Sequence, residues 1–174
     1  MEGYEWVVPV DEADFEIFRG LDGTPRRTGW QPVPMRRLTK TRTGARRAES
    51  DLPYLASHVL VLRDEAFAAL SDVLAEYGEL LPLSCPDTGL WVFNALRVVD
   101  ALDEDRSTLR RFSSGRIADI QRYAFDLERI AGIDIFRLPQ TPRGPLCLGG
   151  GFVDRVRAAA LRGVDFQLVW SEGG

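Results

Sequence analysis

The sequence predicts a single α+β domain, a mostly antiparallel sheet with two or three short helices packed on it. Three observations lead there. Short segments rich in β-branched and aromatic residues outnumber segments whose apolar residues recur at helical spacing. Strands and helices do not alternate regularly, which argues against a parallel βαβ layout. The chain has 174 residues, enough for one sizeable core, whereas two domains would each approach the lower size limit for independent folding. The expected domain therefore spans residues 1–174.

Taken in order, Tyr4-Glu5-Trp6-Val7-Val8-Pro9-Val10 reads as an opening strand, placed at an edge because Pro9 lacks an N–H. From Gly20 to Ser50 the scattered Gly, Pro, Thr and Arg indicate loops with one strand around Gln31 to Leu38. His58-Val59-Leu60-Val61-Leu62 suits a buried strand. Asp64 is placed to cap a helix carrying Phe67, Leu70, Val73, Leu74 and Tyr77, with Gly78 as its stop. Leu90 to Val99 is too continuously apolar for an exposed strand and is expected at the centre of the sheet. Between Arg116 and Ile130 two periods compete. Ile117, Ile120, Ala124, Leu127 and Ala131 suit a helix, whereas Tyr123, Phe125 and Leu127 alternate as in a strand. A strand over Gln121 to Leu127 is preferred, with Ile133 to Leu138 as its hairpin partner. After Gly149-Gly150-Gly151, the residues Phe152, Val156, Ala159 and Ala160 mark a short helix closed by Gly163. Asp165 to Trp170 alternates as a final strand. Leu70, Leu74, Trp91, Phe93, Phe136 and Phe166 are expected to share one core.

Apolar residues make up nearly half of the chain, which excludes the disordered class. The N-terminal Met1-Glu2-Gly3-Tyr4-Glu5-Trp6 carries acids and no basic leader, and no apolar run is long enough to span a membrane. The expected compartment is the cytoplasm. Cys85 and Cys147 are too few for a disulfide framework and are read as reduced and partly buried. With no CxxC and a single histidine, a zinc site of Cys and His reaches three ligands at most. No metal or cofactor is expected.

Charge is distributed unevenly. No acid occurs between Asp22 and Glu49, while Arg26, Arg27, Arg36, Arg37, Lys40, Arg42, Arg46 and Arg47 are all cations. Removing these eight from the 22 basic residues leaves 14 against 26 acids, a balance of −12 for the rest of the chain. The stretch at about 36–49 is read as an exposed, mobile basic loop, with Arg36, Arg37, Arg42, Arg46 and Arg47 as the residues placed to meet a partner. Nucleic acid is a weaker candidate, because the pI is about 5.1 and no aromatics are interleaved among the cations. An acidic protein patch fits the segment as well as phosphate does.

Other constellations carry less. His58 is the only imidazole, and a general base needs a nucleophile beside it in a cleft. Its apolar strand favours a satisfied or edge histidine over a base, and no GxSxG elbow accompanies it. The triple glycine lacks the Lys-Ser/Thr of a phosphate loop and is read as a flexible lead into a helix. Asp100, Asp103, Glu104 and Asp105 form an acidic turn whose spacing does not match a calcium loop.

One further pattern runs through the chain in order. Its parts are Asp51-Leu52-Pro53, Leu70-Ser71-Asp72-Val73-Leu74, Glu79-Leu80-Leu81-Pro82-Leu83, Val98-Val99-Asp100-Ala101-Leu102-Asp103, Ile135-Phe136-Arg137-Leu138 and Leu161-Arg162-Gly163-Val164-Asp165-Phe166. Trp30-Gln31-Pro32 precedes them. The ordered set resembles immunity protein family eleven, antidote proteins of bacterial polymorphic toxin systems that were formerly classed as a domain of unknown function. The resemblance covers nearly the whole chain. It implies a protein that binds and silences a cognate toxin, with no reaction and no catalytic residues of its own. Two rival classes stay open: a small enzyme using His58 with a nearby Ser or Asp, and a nucleic-acid-binding module using the basic 26–47 segment.

Overall fold

The computed structural model describes residues 3–172. Met1 and Glu2, part of the N-terminal stretch read for a leader, lie outside the described residues. Within them nine strands and four α-helices form an α+β fold whose strand ladders all run antiparallel.

The centre is a three-stranded sheet of β3 (Leu60–Arg63), β4 (Gly78–Leu83) and β5 (Leu90–Ala95), in the order β3-β5-β4. Both outer strands are antiparallel to β5, so they run parallel to each other and α2 (Asp64–Tyr77) is the crossover between them. The expected central position of the Leu90 strand holds. Ala66, Leu70 and Leu74 follow at helical spacing and are wholly buried, which sets the face that α2 lays on the sheet.

Two features of α2 differ from expectation. Arg63 in extended conformation occupies the N-cap, and Asp64 instead accepts hydrogen bonds from Thr88 Oγ1 and Gly89 N–H at 3.3 Å. Its carboxylate ties the helix start to the turn before β5. Gly78 ends the helix, but with extended backbone at φ 178°. Glycine is required there by proximity, since a Cβ would stand 2.2 Å from the Asn94 carbonyl oxygen.

Around this centre, β1 (Trp6–Pro9) pairs with β2 (Met35–Leu38), the strand expected between Gln31 and Leu38. A short α1 (Phe15–Arg19) lies between them in sequence. Next come β6 (Thr108–Arg111) and β7 (Ile117–Arg122), which form a hairpin, α3 (Leu127–Ile130), β8 (Ile135–Phe136), β9 (Cys147–Leu148) and α4 (Gly150–Ala158). Neither of the competing periods holds as read, and of the preferred strand Gln121–Leu127 only Gln121 and Arg122 lie in a strand. Ile117 and Ile120 belong to a strand, and Leu127 opens a helical turn that Asp126 caps by accepting from Glu128 N–H at 3.1 Å. The expected hairpin of Gln121–Leu127 with Ile133–Leu138 does not form. Thr108–Arg111 supplies the partner of β7, and β8 pairs with β9.

The last expected strand is likewise absent. Phe166 and Trp170 pack on different apolar clusters while Leu168 is 81% exposed, so side-chain anchoring holds Asp165–Trp170 without a ladder. The apolar interior divides into three clusters. Leu70, Leu74 and Phe93 share one with Phe166 at its margin, and Phe136 belongs to another with Leu102, Ile120 and Phe125. Trp91 is half-buried and stacks on Phe67 with ring centroids 4.1 Å apart. The single shared core expected for these six residues is therefore split.

Candidate functional site

The basic segment is more ordered than a mobile loop. Arg36 and Arg37 are neighbours on β2 and so face opposite ways. Arg36 is exposed. Arg37 turns inward and donates from Nε to Glu5 Oε2 at 2.8 Å and from Nη2 to Glu49 Oε1 at 3.2 Å. Glu5 is 1% exposed, and its other oxygen lies 3.3 Å from Arg63 Nη1 and accepts from Ser50 N–H. Burial opposes the charge on Arg37, but Glu5 and Glu49 outweigh it and raise its pKa above the ordinary value. Arg37 is thus part of the fold.

Past β2 the chain reverses through Thr41–Ala45, closed by a Thr41 N–H to Ala45 O bond of 2.9 Å and a Lys40–Arg46 bridge. The Arg47 guanidinium stacks 4.4 Å over the Trp6 ring and donates to the Tyr4 carbonyl at 3.3 Å. Of the five arginines named from the sequence, Arg36, Arg42 and Arg46 remain exposed. Their side chains have no hydrogen-bond or ion-pair partner among the described residues.

His58 is 8% exposed, and its Nε2 lies 2.9 Å from the Phe18 carbonyl oxygen. A carbonyl only accepts, so Nε2 carries the proton and donates. Burial lowers the His58 pKa, the bond to Phe18 partly restores it, and Arg137 and Arg143 depress it further. The ring is a neutral tie between α1 and the lead into β3.

The triple glycine also has an occupant. The Asp134 carboxylate lies so close that a Cβ on Gly149 or Gly151 would stand 2.3 or 2.6 Å from it. The N-terminus of α4, where an anion would be stabilised, already faces a carboxylate of the chain itself. Cys147 is a free thiol whose pKa burial pushes up to about 12, far from a reactive thiolate. Cys85 is likewise free and half-buried.

The acidic turn lines a cleft of about 700 Å³. One wall is Asp100–Arg106; α3 with Asp126 and Glu128 forms the other, and Gln140, Trp170 and Glu172 close it. Seven carboxylates face two guanidiniums here. Arg129 reaches Asp126 at 3.2 Å and Asp100 at 3.6 Å, and Arg106 lies 3.9 Å from Asp103. Gln140 donates to Asp100 at 2.7 Å. Nothing in the spacing of the sequence joins these segments; the Asp126 N–H to Ala101 carbonyl and Asp103 N–H to Ala124 carbonyl bonds, both 2.9 Å, and the packing of Phe125 against Phe136 and Trp170 bring them together.

Residues of the ordered motifs make long-range ties within the fold. Asp51 accepts from Arg162 N–H at 2.8 Å and from its guanidinium at 3.1 and 3.2 Å, while Asp51 N–H donates back to the Arg162 carbonyl at 3.0 Å. Burial opposes ionisation of Asp51, but these bonds hold its pKa below the usual value. Asp72 on α2 takes a bidentate contact from Arg155 on α4 at 2.6 and 2.7 Å. Glu79 receives the backbone N–H groups of Arg26 and Arg27 at 2.8 and 3.1 Å and the Asn94 amide at 3.2 Å. Arg137 is 1% exposed, donates from Nε to the Ala95 carbonyl at 3.0 Å, and has its pKa lowered by burial to about 10.

Comparison with known proteins identifies the family of this chain. The profile of the immunity protein family (Imm11) matches residues 84–170, half of the chain. The chain belongs to this immunity protein family. No curated protein matches it. The immunity-family segment starts just before β5 and contains the hairpin, α3, α4 and most of the acidic cleft. It leaves out the basic stretch and His58. An immunity protein acts on a protein partner, and no helix among the described residues is long and apolar enough to cross a membrane.

Proposed function

We propose that this immunity-family protein binds a cognate bacterial toxin in the cytoplasm and holds it inactive by protein–protein contact, without a reaction of its own. Membership of the family carries the reading. The geometry supports it, because the groups that first suggested chemistry are engaged in structural bonds: His58 with Phe18, Arg37 with Glu5, and the triple glycine through Gly149 N–H to the Asp134 carbonyl. Inhibition proceeds by occluding or distorting the toxin active site. The exposed Arg36, Arg42 and Arg46 steer the encounter, since surface charges act on association rate more than on the final affinity.

Co-expression with the toxin domain encoded beside this chain tests the proposal. Growth should be restored, and the purified proteins should form a stable complex. His58→Gln should protect equally well. A folded, abundant protein that neither protects cells nor binds the toxin would overturn the reading, and loss of protection in folded His58→Gln would return that residue to a catalytic role.

A further inference from the structure

We infer that the acidic cleft between the Asp100–Arg106 turn and α3 receives a lysine- or arginine-bearing segment of the toxin that also carries an apolar side chain. The inference rests on the toxin-binding reading and adds to it the chemistry of the contact. Family membership makes the occupant a protein, and the cleft sets the character of that protein's surface.

Charge comes first. Asp100, Asp103 and Asp126 are answered by Arg129 and Arg106, and Glu104 by Arg111, whereas Asp105, Glu128 and Glu172 have no cation among the described residues. Like charges on one concave surface repel each other while the cleft is empty, and its walls focus their field toward an approaching cation. These carboxylates do not converge on a point, because no group among the described residues could hold a metal ion. They are spread along about 700 Å³ of open space, the size of several side chains.

The second observation is apolar and independent of charge. Leu127, on the cleft wall, is 41% exposed, and Leu168 and Val169, next to Trp170, are 81% and 43% exposed. Seven large apolar side chains are exposed among the described residues, and five of them (Val98, Phe112, Leu127, Leu168 and Val169) lie inside the family-matched segment. Uncovered apolar groups beside a polar rim mark contact surfaces. Trp170 adds an aromatic face on which a cation can rest. A basic segment with a neighbouring apolar residue satisfies all of these groups at once.

The test is calorimetric titration of the purified toxin domain into wild type, Asp105→Lys/Glu128→Lys and Asp105→Asn/Glu128→Gln at low and high salt. Both positions are exposed, so the melting curves should match wild type. Charge reversal should raise Kd at least about tenfold at low salt, with the loss shrinking as salt screens the cleft. The neutral pair should show a smaller loss of the same kind, which separates lost attraction from new repulsion. Leu127→Ala should weaken binding equally at both salt concentrations. Wild type that binds and protects while both acidic-pair variants keep its Kd and salt dependence would overturn the cleft assignment alone. A wild type that does not bind at all would overturn the toxin reading and the cleft with it.

Discussion

Arg37 and Arg42 belong to the same basic stretch and are chemically identical, yet they answer to different forces. Arg37 neutralises a carboxylate that is 1% exposed, and Arg42 stands in solvent. Removing one partner of a buried pair leaves an uncompensated charge and costs about 3–5 kcal/mol. Arg63 still reaches Glu5, so the lower end applies here. Arg37→Ala should therefore lower the melting temperature by roughly 5 °C or more, and Arg42→Glu/Arg46→Glu should change it little while slowing association with the toxin. The reverse ranking in thermal melts would place Arg37 outside the fold. His58 makes a separate prediction through pH. Its pKa is lowered from 6.5 in the folded state, so below about that pH the unfolded chain binds more protons than the native one and stability falls with pH. Asp51 acts lower, its stabilisation present above the ordinary 3.8 and lost as pH falls through the depressed folded value. Denaturant midpoints between about pH 7 and pH 5 should decline in wild type and less steeply in His58→Gln. Equal slopes would mean that His58 is not held neutral by burial.

At the scale of elements, glycines divide into those that proximity or conformation requires and those it does not. Gly163 has φ +86°, and a Cβ there would stand 1.9 Å from Ser50 Oγ. It lets the Arg162 carbonyl and N–H both reach the Ser50–Asp51 backbone and side chain. Gly150, in the first turn of α4, has open space around it, and its neighbours Gly149 and Gly151 face the Asp134 carboxylate. Gly150→Ala should stabilise by up to about 1 kcal/mol by reducing the freedom of the unfolded chain. Gly163→Ala and Gly151→Ala should each destabilise, the former by more than about 1 kcal/mol through strain at positive φ. A set of denaturation curves for the three variants decides it, and a stabilising Gly163→Ala would show that the Asp51–Arg162 clasp tolerates a shifted turn.

For the molecule as a whole, the family-matched segment is not a folding unit. Within it β5 has no ladder partner, because β3 and β4 both precede residue 84. Phe93 and Ala95 pack against Leu70 and Leu74 of α2, which also lies outside. A fragment of about 87 residues deprived of both flanking strands and its principal helix loses the burial that offsets chain entropy. Expressed alone, residues 84–170 should show a collapsed amide spectrum and no cooperative melt, whereas the full chain should unfold in one transition. Dispersed resonances from the fragment would demonstrate a smaller autonomous core.

Local patterns were enough to determine the α+β class, α2, the central β5 and the strand at Gln31–Leu38, because each depends on periodicity or turn chemistry within its own segment, whereas the helix expected after the triple glycine and closed by Gly163 starts within it and spans Gly150–Ala158. The order of short motifs was enough to point to the immunity family. Tertiary structure alone decided what those motifs do. Asp51 meets Arg162, Asp72 meets Arg155, and Glu79 holds the Arg26 and Arg27 amides, pairings across long stretches of chain that no local window contains. The partner of β7, the missing final strand and the inward turn of Arg37 were hidden for the same reason. A strand needs another edge to bond, and a charge needs to know whether a carboxylate has been buried beside it. The acidic cleft is the strongest case, since its lining comes from four separated stretches, 100–106, 125–129, Gln140 and 170–172. Their charges were plain in the sequence, but long-range backbone bonds and the packing around Phe125 set them face to face.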